Sequence, residues 1–245
     1  MGNAHYKIIL AYNGSGFAGY QRQSDGRTVQ GEFEAGLQRI GWQGSHVLSA
    51  GRTDAGVHAK GQVVSFQLDW GHTPQALQNA LNYYLPRDMA VQDVSEVPAD
   101  FHPRYDAKSR HYRYQIFCQP VRDPLREDYN WRVWPTVQVE RMKAAAASLL
   151  GLHDFAAFGS PMTDDGITVR EVFSAEWRDQ GDEWQFDISA NAFLYHMVRR
   201  ITFALVTIGQ GKADVNLIAE SLRIGELALT GLAPAAGLVL EKVVY

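Results

Sequence analysis

The largely apolar run from Tyr6 to Tyr12, "YKIILAY", predicts a first strand. After a glycine-rich loop, Val29, Phe33, Leu37 and Ile40 recur at helical spacing behind a capping Thr28, predicting a helix over Val29–Ile40. A short strand follows at His46–Ser49 and a longer one at Gln62–Leu68, where Val64, Phe66 and Leu68 alternate with Ser65 and Gln67 as in a half-buried strand. Thr73-Pro74 opens a second helix with Leu77, Leu81 and Tyr84 on one face, which stops before Pro86. A strand near Met89–Val94 completes the order strand, helix, strand, strand, helix, strand, the ferredoxin-like pattern.

The second half repeats the theme. A strand at His111–Cys118 puts Tyr112, Tyr114 and Ile116 on one face, and an irregular stretch over 119–137 precedes a helix at Val139–Leu150. Strands at Val172–Arg178 and Trp184–Ser189 flank a hairpin turn around Gly181. A long apolar helix is expected at about Ala192–Ile208, another from a capping Asp214 to Ile224, and a closing strand at Leu238–Tyr245. The predicted fold is α+β: two ferredoxin-like halves, 1–105 and 106–245, meeting near Asp100–Arg110.

Composition changes this picture little. The 245 residues are 46% hydrophobic and 20% charged with a net charge of −4, ordinary values for a chain with a packed core. A single cysteine, Cys118, excludes an intrachain disulfide and argues against a thiolate metal cluster. The start "MGNAHYKIILAYNG" lacks the pattern of a secretory signal, and Met1-Gly2 with Tyr6 at the sixth position does not fit a lipidation site. No run of about 18 apolar residues suggests a membrane span, so a cytoplasmic location is expected. The mild acidity leaves nucleic-acid binding open, because a local basic face decides that.

"GSGFAG", Gly14–Gly19, fits the G-x-G-x-x-G pattern, but "YQRQSDGR" intervenes before the helix and no second strand ends in the acidic residue a dinucleotide site needs. Its glycines are expected to make a tight turn, or to let backbone approach a polymer ligand faced by Tyr20, Gln21, Arg22 and Gln23.

The stretch "SAGRTDAGVHAKG", Ser49–Gly61, carries Arg52 and Asp54 among small residues. In an extended stretch the two side chains share one side. A loop aspartate is commonly a turn residue, yet a carboxylate with room around it can act as nucleophile or general base. A metal site at Asp54 and His58 lacks further ligands, such as His153, Asp154 or His196, at a characteristic metal spacing. No G-x-S-x-G elbow supports a serine triad, and His58 reads as a structural hydrogen-bonding residue.

Two further blocks carry charge. "FHPRYDAKSRHYRY" interleaves Arg104, Lys108, Arg110, His111 and Arg113 with Tyr105, Tyr112 and Tyr114, which suits phosphate contacts and base stacking or, alternatively, a solvated edge strand with a tyrosine face. "NAFLYHMVRRI" is expected to be a helix setting Arg199 and Arg200 among apolar neighbours. Each then either pairs with a carboxylate, for which Asp54 is a candidate, or snorkels to solvent.

These blocks, with "YNGSGFAGYQRQ", "RTVQGEFEAGL", "GLHDFAAF" and "APAAGLVLEKVVY", resemble in order the TruA family of tRNA pseudouridine synthases over nearly the whole chain. Asn13 departs from the family's usual aspartate, and Pro103 and His111 are unusual within their block. The resemblance implies isomerisation of uridine to pseudouridine in the anticodon stem-loop of tRNA, at positions 38 to 40. It implies no metal or organic cofactor, and a homodimer whose subunits share a tRNA. It also implies that the halves join into one mostly antiparallel sheet, with helices on one side and an active-site cleft between them. By the same resemblance Asp54 is the catalytic carboxylate and Arg52 enters the RNA stem. Tyr112 packs on the uracil and takes part in proton transfer, Arg199 pairs with the carboxylate, and Leu238 is an apolar contact near the base. Arg104 and Arg110 join the substrate-binding set from the basic block. The alternatives are a catalytically silent RNA-binding or chaperone protein using the same basic cleft, and an aspartate-based hydrolase of small glycosides, whose usual second carboxylate is missing from the loop.

Overall fold

The computed structural model describes residues 3–161 and 166–245. The Met1-Gly2 start weighed for lipidation lies outside the described residues. Backbone contacts divide the chain into two compact units, Met1–Lys108 with Leu240–Tyr245, and Ser109–Val239.

The first unit follows the predicted order: β1 (Ala4–Tyr12), α1 (Val29–Arg39), β2 (Leu48–Ser49), β3 (His58–Leu68), α2 (Pro74–Tyr84) and β4 (Met89–Glu96). β1 runs antiparallel between β3 and β4, with Tyr6 opposite Phe66 and Tyr12 opposite both Ala59 and Met89. β2 pairs with β3 at Ser65 and Val64. The chain's last strand, β10 (Leu238–Val244), also borders β3. Gly61 allows that approach, because a Cβ there would collide with the Glu241 carbonyl.

Alternation decides what is buried. Tyr6, Ile8, Leu10 and Tyr12 of β1 are buried with polar or half-exposed residues between them. Thr28 caps α1 by accepting from Gly31 N, and Val29, Phe33 and Leu37 pack inward, with the Phe33 ring 5.9 Å from Phe66. Thr73 caps α2 with proline at its first turn, and Leu77 and Leu81 are fully buried. Tyr84, expected on that same face, is instead 47% exposed, because α2 ends there and the chain turns through buried Leu85. β3 differs too: it starts at His58, and Val63 and Ser65 are as buried as Val64 and Phe66, so both of its faces are covered.

The second unit contains β5 (Ser109–Cys118), β6 (Trp131–Val133), α3 (Val139–Ala146), β7 (Gly151–Asp154), β8 (Val169–Asp179), β9 (Glu183–Ala190), α4 (Met197–Gly209) and α5 (Leu217–Ile224). Its strands run in the order β5-β9-β8-β7, antiparallel throughout, with β6 added parallel to β5. β8 and β9 form the expected hairpin, with Gly181 at φ 86. The short strands β6 and β7 were not legible: β6 lies inside the stretch read as irregular.

The apolar helix expected from Ala192 begins only at Met197. Residues 191–196 have other backbone partners: Asn191 N bonds to Glu171 O, Tyr195 N to Ser160 O, and His196 turns left-handed at φ 64. Tertiary hydrogen bonds thus override the helical period. Likewise α5 begins at Leu217, while Asp214 caps the preceding turn by accepting from Asn216 N at 2.8 Å. Among the described residues no helix is long and apolar enough to cross a membrane.

Candidate active site

Asp54 sits in the connection between β2 and β3, and nearly every neighbour of it is tied down. Ala50 N donates to Val63 O at 2.9 Å, and Gln62 Nε2 donates to Gly51 O at 3.0 Å. Thr53 is buried; its hydroxyl lies 2.8 Å from the Tyr12 hydroxyl, and its carbonyl accepts from Tyr20 N at 3.0 Å. Burial pushes the Tyr12 hydroxyl pKa up to about 12, so it stays protonated and keeps this contact through the neutral range. Beyond Asp54 the chain closes a turn, Val57 N to Asp54 O at 3.1 Å, with Gly56 at φ 79 supplying the left-handed residue. His58, buried, accepts from Gly14 N on Nδ1 at 3.0 Å, the structural hydrogen-bonding role expected of it.

Within this clamp Asp54 is half-buried, whereas Arg52 is exposed and makes no hydrogen bond or ion pair among the described residues. The two opposite charges therefore do not satisfy each other.

Two glycines of GSGFAG pack against the Asp54 loop. A Cβ on Gly14 would overlap the Val57 carbonyl, and one on Gly19, already at φ 107, would press on Thr53 O and Ala55 N at 3.2 and 3.4 Å. Tyr20, which the alternative reading set facing a polymer ligand, is buried, and its burial raises its hydroxyl pKa. Arg22 instead pairs with the buried Glu34 at 2.8 Å, and Gln23 donates to Ala18 O. Asn13 caps the turn after β1, its Oδ1 accepting from Ser15 N at 3.0 Å, a role an aspartate oxygen would fill equally.

Arg27 fastens the far end of this segment. It grips Asp88 through two hydrogen bonds of 2.6 and 2.9 Å, reaches Glu32 at 2.7 Å, and lies over the Phe17 ring at 4.2 Å. Hydrogen bonding to Arg27 holds the Asp88 carboxyl below its ordinary value. A depressed carboxylate contributes stability above its unfolded pKa, near 4, and loses it as pH falls through the folded value. Asp88→Asn is accordingly expected to lower stability near neutrality, with the difference from wild type vanishing in the acid range. Urea titrations from pH 7 down to pH 3 measure it; a difference that stays constant to pH 3 contradicts the assignment.

The second unit gathers Tyr112, Arg110, Arg199 and Leu238. Tyr112 on β5 pairs with Ile188 and meets the Phe193 ring edge-on at 5.1 Å. Arg110 donates to Asn191 O at 2.7 Å. Arg199, half-buried in the first turn of α4, donates from Nε to Ala233 O at 2.8 Å, while its own carbonyl accepts from Ala233 N at 3.3 Å. The neighbouring Pro234 carbonyl accepts from the buried Tyr114 hydroxyl at 2.6 Å, and Gly237 has no room for a Cβ beside that ring. Leu238 follows, buried. Arg199 is thus held by the segment that delivers Leu238. Arg200, its neighbour, is exposed.

Not every residue of the basic-aromatic block faces outward. Tyr114 is core and Arg113 is paired with Asp187 at 2.9 Å. Arg104 and Tyr105 are exposed in the first unit, the guanidinium 5.9 Å from the ring centre. His153 and Asp154 have structural partners, Leu150 O and Ala156 N.

Sequence reasoning missed Tyr12, Gly14, Gly19 and Tyr20 as supports of the Asp54 loop. Each supports the loop through a contact with a segment distant in the chain, which no local pattern in the sequence displays.

Fold and loop together define an α+β protein that displays one carboxylate on a rigid connection beside an outward arginine. The sequence profile of the tRNA pseudouridine synthases matches residues 8–106 and 145–245, with Arg110 and Tyr112 falling between the matched segments. The chain is 39% identical to tRNA pseudouridine synthase A of Geobacter sp. (strain M21) over 98% of each chain. It is 42% identical to the protein of that name from Myxococcus xanthus, covering 98% of this chain and 91% of the relative. It is also 42% identical to that of Halalkalibacterium halodurans, covering 95% and 89%. The chain belongs to the tRNA pseudouridine synthase family, whose members are isomerases.

Proposed function

We propose that this protein isomerises uridine to pseudouridine in the anticodon stem-loop of tRNA, at positions 38 to 40, with Asp54 as the catalytic carboxylate. The observation that carries the reading is the clamped loop: Thr53, Val57 and His58 are buried and bonded around Asp54, while Arg52 projects without a partner among the described residues. Such preorganisation suits a group that must meet a reacting atom in one geometry.

The reaction breaks the N1–C1′ bond of uridine, turns the uracil and joins C5 to C1′; the C5 proton is lost and N1 gains one. No atom is added overall and no redox partner is required. Asp54 starts this by attack on C6 or C1′, or by taking the C2′ proton. Arg52, exposed and cationic, enters the stem and holds the target nucleotide out of its stack. Tyr112, fixed edge-on by Phe193, packs on the uracil and takes part in proton transfer. Arg199, anchored by Ala233, balances negative charge during the reaction. Leu238 gives an apolar contact to the base, and Arg104 and Arg110 belong to the RNA-binding set. The protein works without metal or organic cofactor, as a homodimer in the cytoplasm.

A silent RNA-binding protein would have no use for a fixed carboxylate facing an anionic ligand. Incubating the protein with tRNA, free uridine and small glycosides in parallel tests the reading: pseudouridine is expected only in tRNA, and release of free uracil or sugar contradicts it. Affinity for tRNA is expected to fall steeply with salt, log K declining linearly with log salt concentration. A flat salt dependence would remove the phosphate-contacting arginines from the account.

A further inference from the structure

The C-terminal end of α2 carries two adjacent tyrosines that the fold does not use. Tyr83 is 82% exposed and Tyr84 47%, their rings packed edge to face at 5.0 Å. Neither side chain is needed to hold the helix, since Leu77, Leu81 and Leu85 fill the core side. Three residues on, Arg87 is exposed and makes no hydrogen bond or ion pair among the described residues. The adjacent Asp88 does not neutralise it, because both Asp88 oxygens are engaged by Arg27.

Strand register places this group beside the catalytic loop. Tyr12, at the end of β1, pairs with Met89 at the start of β4 and with Ala59 at the start of β3. The next residue, Asn13, donates from its backbone to Asp88 O at 2.9 Å, and Gly14 lies against Val57. The turn that ends α2 and the loop bearing Arg52 and Asp54 therefore leave the same end of the first unit's sheet. That end presents two guanidinium groups without an ion pair among the described residues, Arg52 and Arg87, and two exposed aromatic rings.

We propose that Tyr83, Tyr84 and Arg87 form a second RNA contact of the first unit, in which the tyrosine pair stacks on an unpaired or splayed base flanking the target and Arg87 meets a backbone phosphate. Rings recognise the π-face of any base, and an unpaired guanidinium recognises phosphate. This surface binds and orients RNA and performs no chemistry. It rests on the reading of the protein as an enzyme acting on tRNA.

The test uses the full chain and a tRNA that the wild type modifies. Tyr83→Ala/Tyr84→Ala is expected to weaken tRNA affinity about tenfold, with the single-turnover rate at saturating enzyme unchanged. Tyr83→Phe/Tyr84→Phe retains the rings and should bind as wild type, and Arg87→Ala should reduce the slope of log K against log salt by about one. Thermal unfolding of each variant checks that the exposed substitutions leave the fold intact. Wild-type affinity in the double alanine variant together with an unchanged salt slope in Arg87→Ala overturns the inference while leaving the proposed activity standing. A wild-type protein that neither binds nor modifies tRNA overturns both. A changed oligomeric state of the double alanine variant with unchanged tRNA affinity assigns the tyrosines to self-association and overturns it as well.

Discussion

Replacing Asp54 by asparagine is expected to lower pseudouridine formation by about 10³-fold or more, while tRNA affinity changes by less than about threefold. The substitution keeps the side chain's shape but replaces one basic, nucleophilic carboxylate oxygen by an amide nitrogen that only donates. It leaves the support intact, because the turn around Asp54 is closed by its backbone carbonyl, which accepts from Val57 N. Asparagine is also at ease in turns. Thermal unfolding of the variant checks that a fall in rate does not come from unfolding. Single-turnover assays at saturating enzyme, beside filter binding of the same tRNA, separate the two quantities. A variant retaining a tenth of the wild-type rate would strip Asp54 of its chemical role.

Gly14→Ala is expected to have the second largest effect, and by a different route. The added Cβ overlaps the Val57 carbonyl, and rigid backbone lies on both sides of the contact. The neighbouring Gly14 N–H is the donor to His58, so the strain passes to both flanks of the Asp54 turn. Overpacking of this kind costs about 1–3 kcal/mol. Displacing the loop by an ångström should cost on the order of 10²-fold in rate. The prediction is a lowered unfolding midpoint together with a rate loss at saturating substrate. Gly51→Ala is the control, since a Cβ there meets nothing within 4 Å. If both variants behave alike, the close packing of Gly14 does not position the loop.

How far the sequence could be read follows from which interactions are local. α1, α2 and β1 declared themselves because their caps and apolar periods are properties of a few consecutive residues, and the structure has them within a residue or two of expectation. The start of α4 did not. Phe193, Leu194 and Met197 keep a helical period, but the backbone before Met197 is claimed by Ser160 and Glu171, far away in the chain. Tyr20 was misplaced for the same reason. Its neighbours Gln21, Arg22 and Gln23 are polar, yet its own N–H reaches Thr53 and its ring is buried. The burial of Ser65 on β3 likewise depends on what covers the second face.

The site divides along the same line. Arg52 and Asp54 stood out through a short segment of small residues, and the backbone on both sides of them is hydrogen-bonded. The supports around them were invisible, because Gly14 against Val57 and Tyr12 against Thr53 are contacts between distant segments. The basic-aromatic block was legible as composition but not as geometry. Strand alternation turns Tyr114 into the core and Arg113 toward Asp187, while Arg104 and Tyr105 lie in the turn before the strand and are exposed.

The most direct test of the central claim is base-resolution mapping of pseudouridine in unmodified tRNA incubated with the purified protein and, in parallel, with its Asp54→Asn variant. New pseudouridine is expected at positions 38 to 40 alone with the wild type, and none above background with the variant. Pseudouridine elsewhere in the tRNA, or equal modification by both proteins, would contradict it.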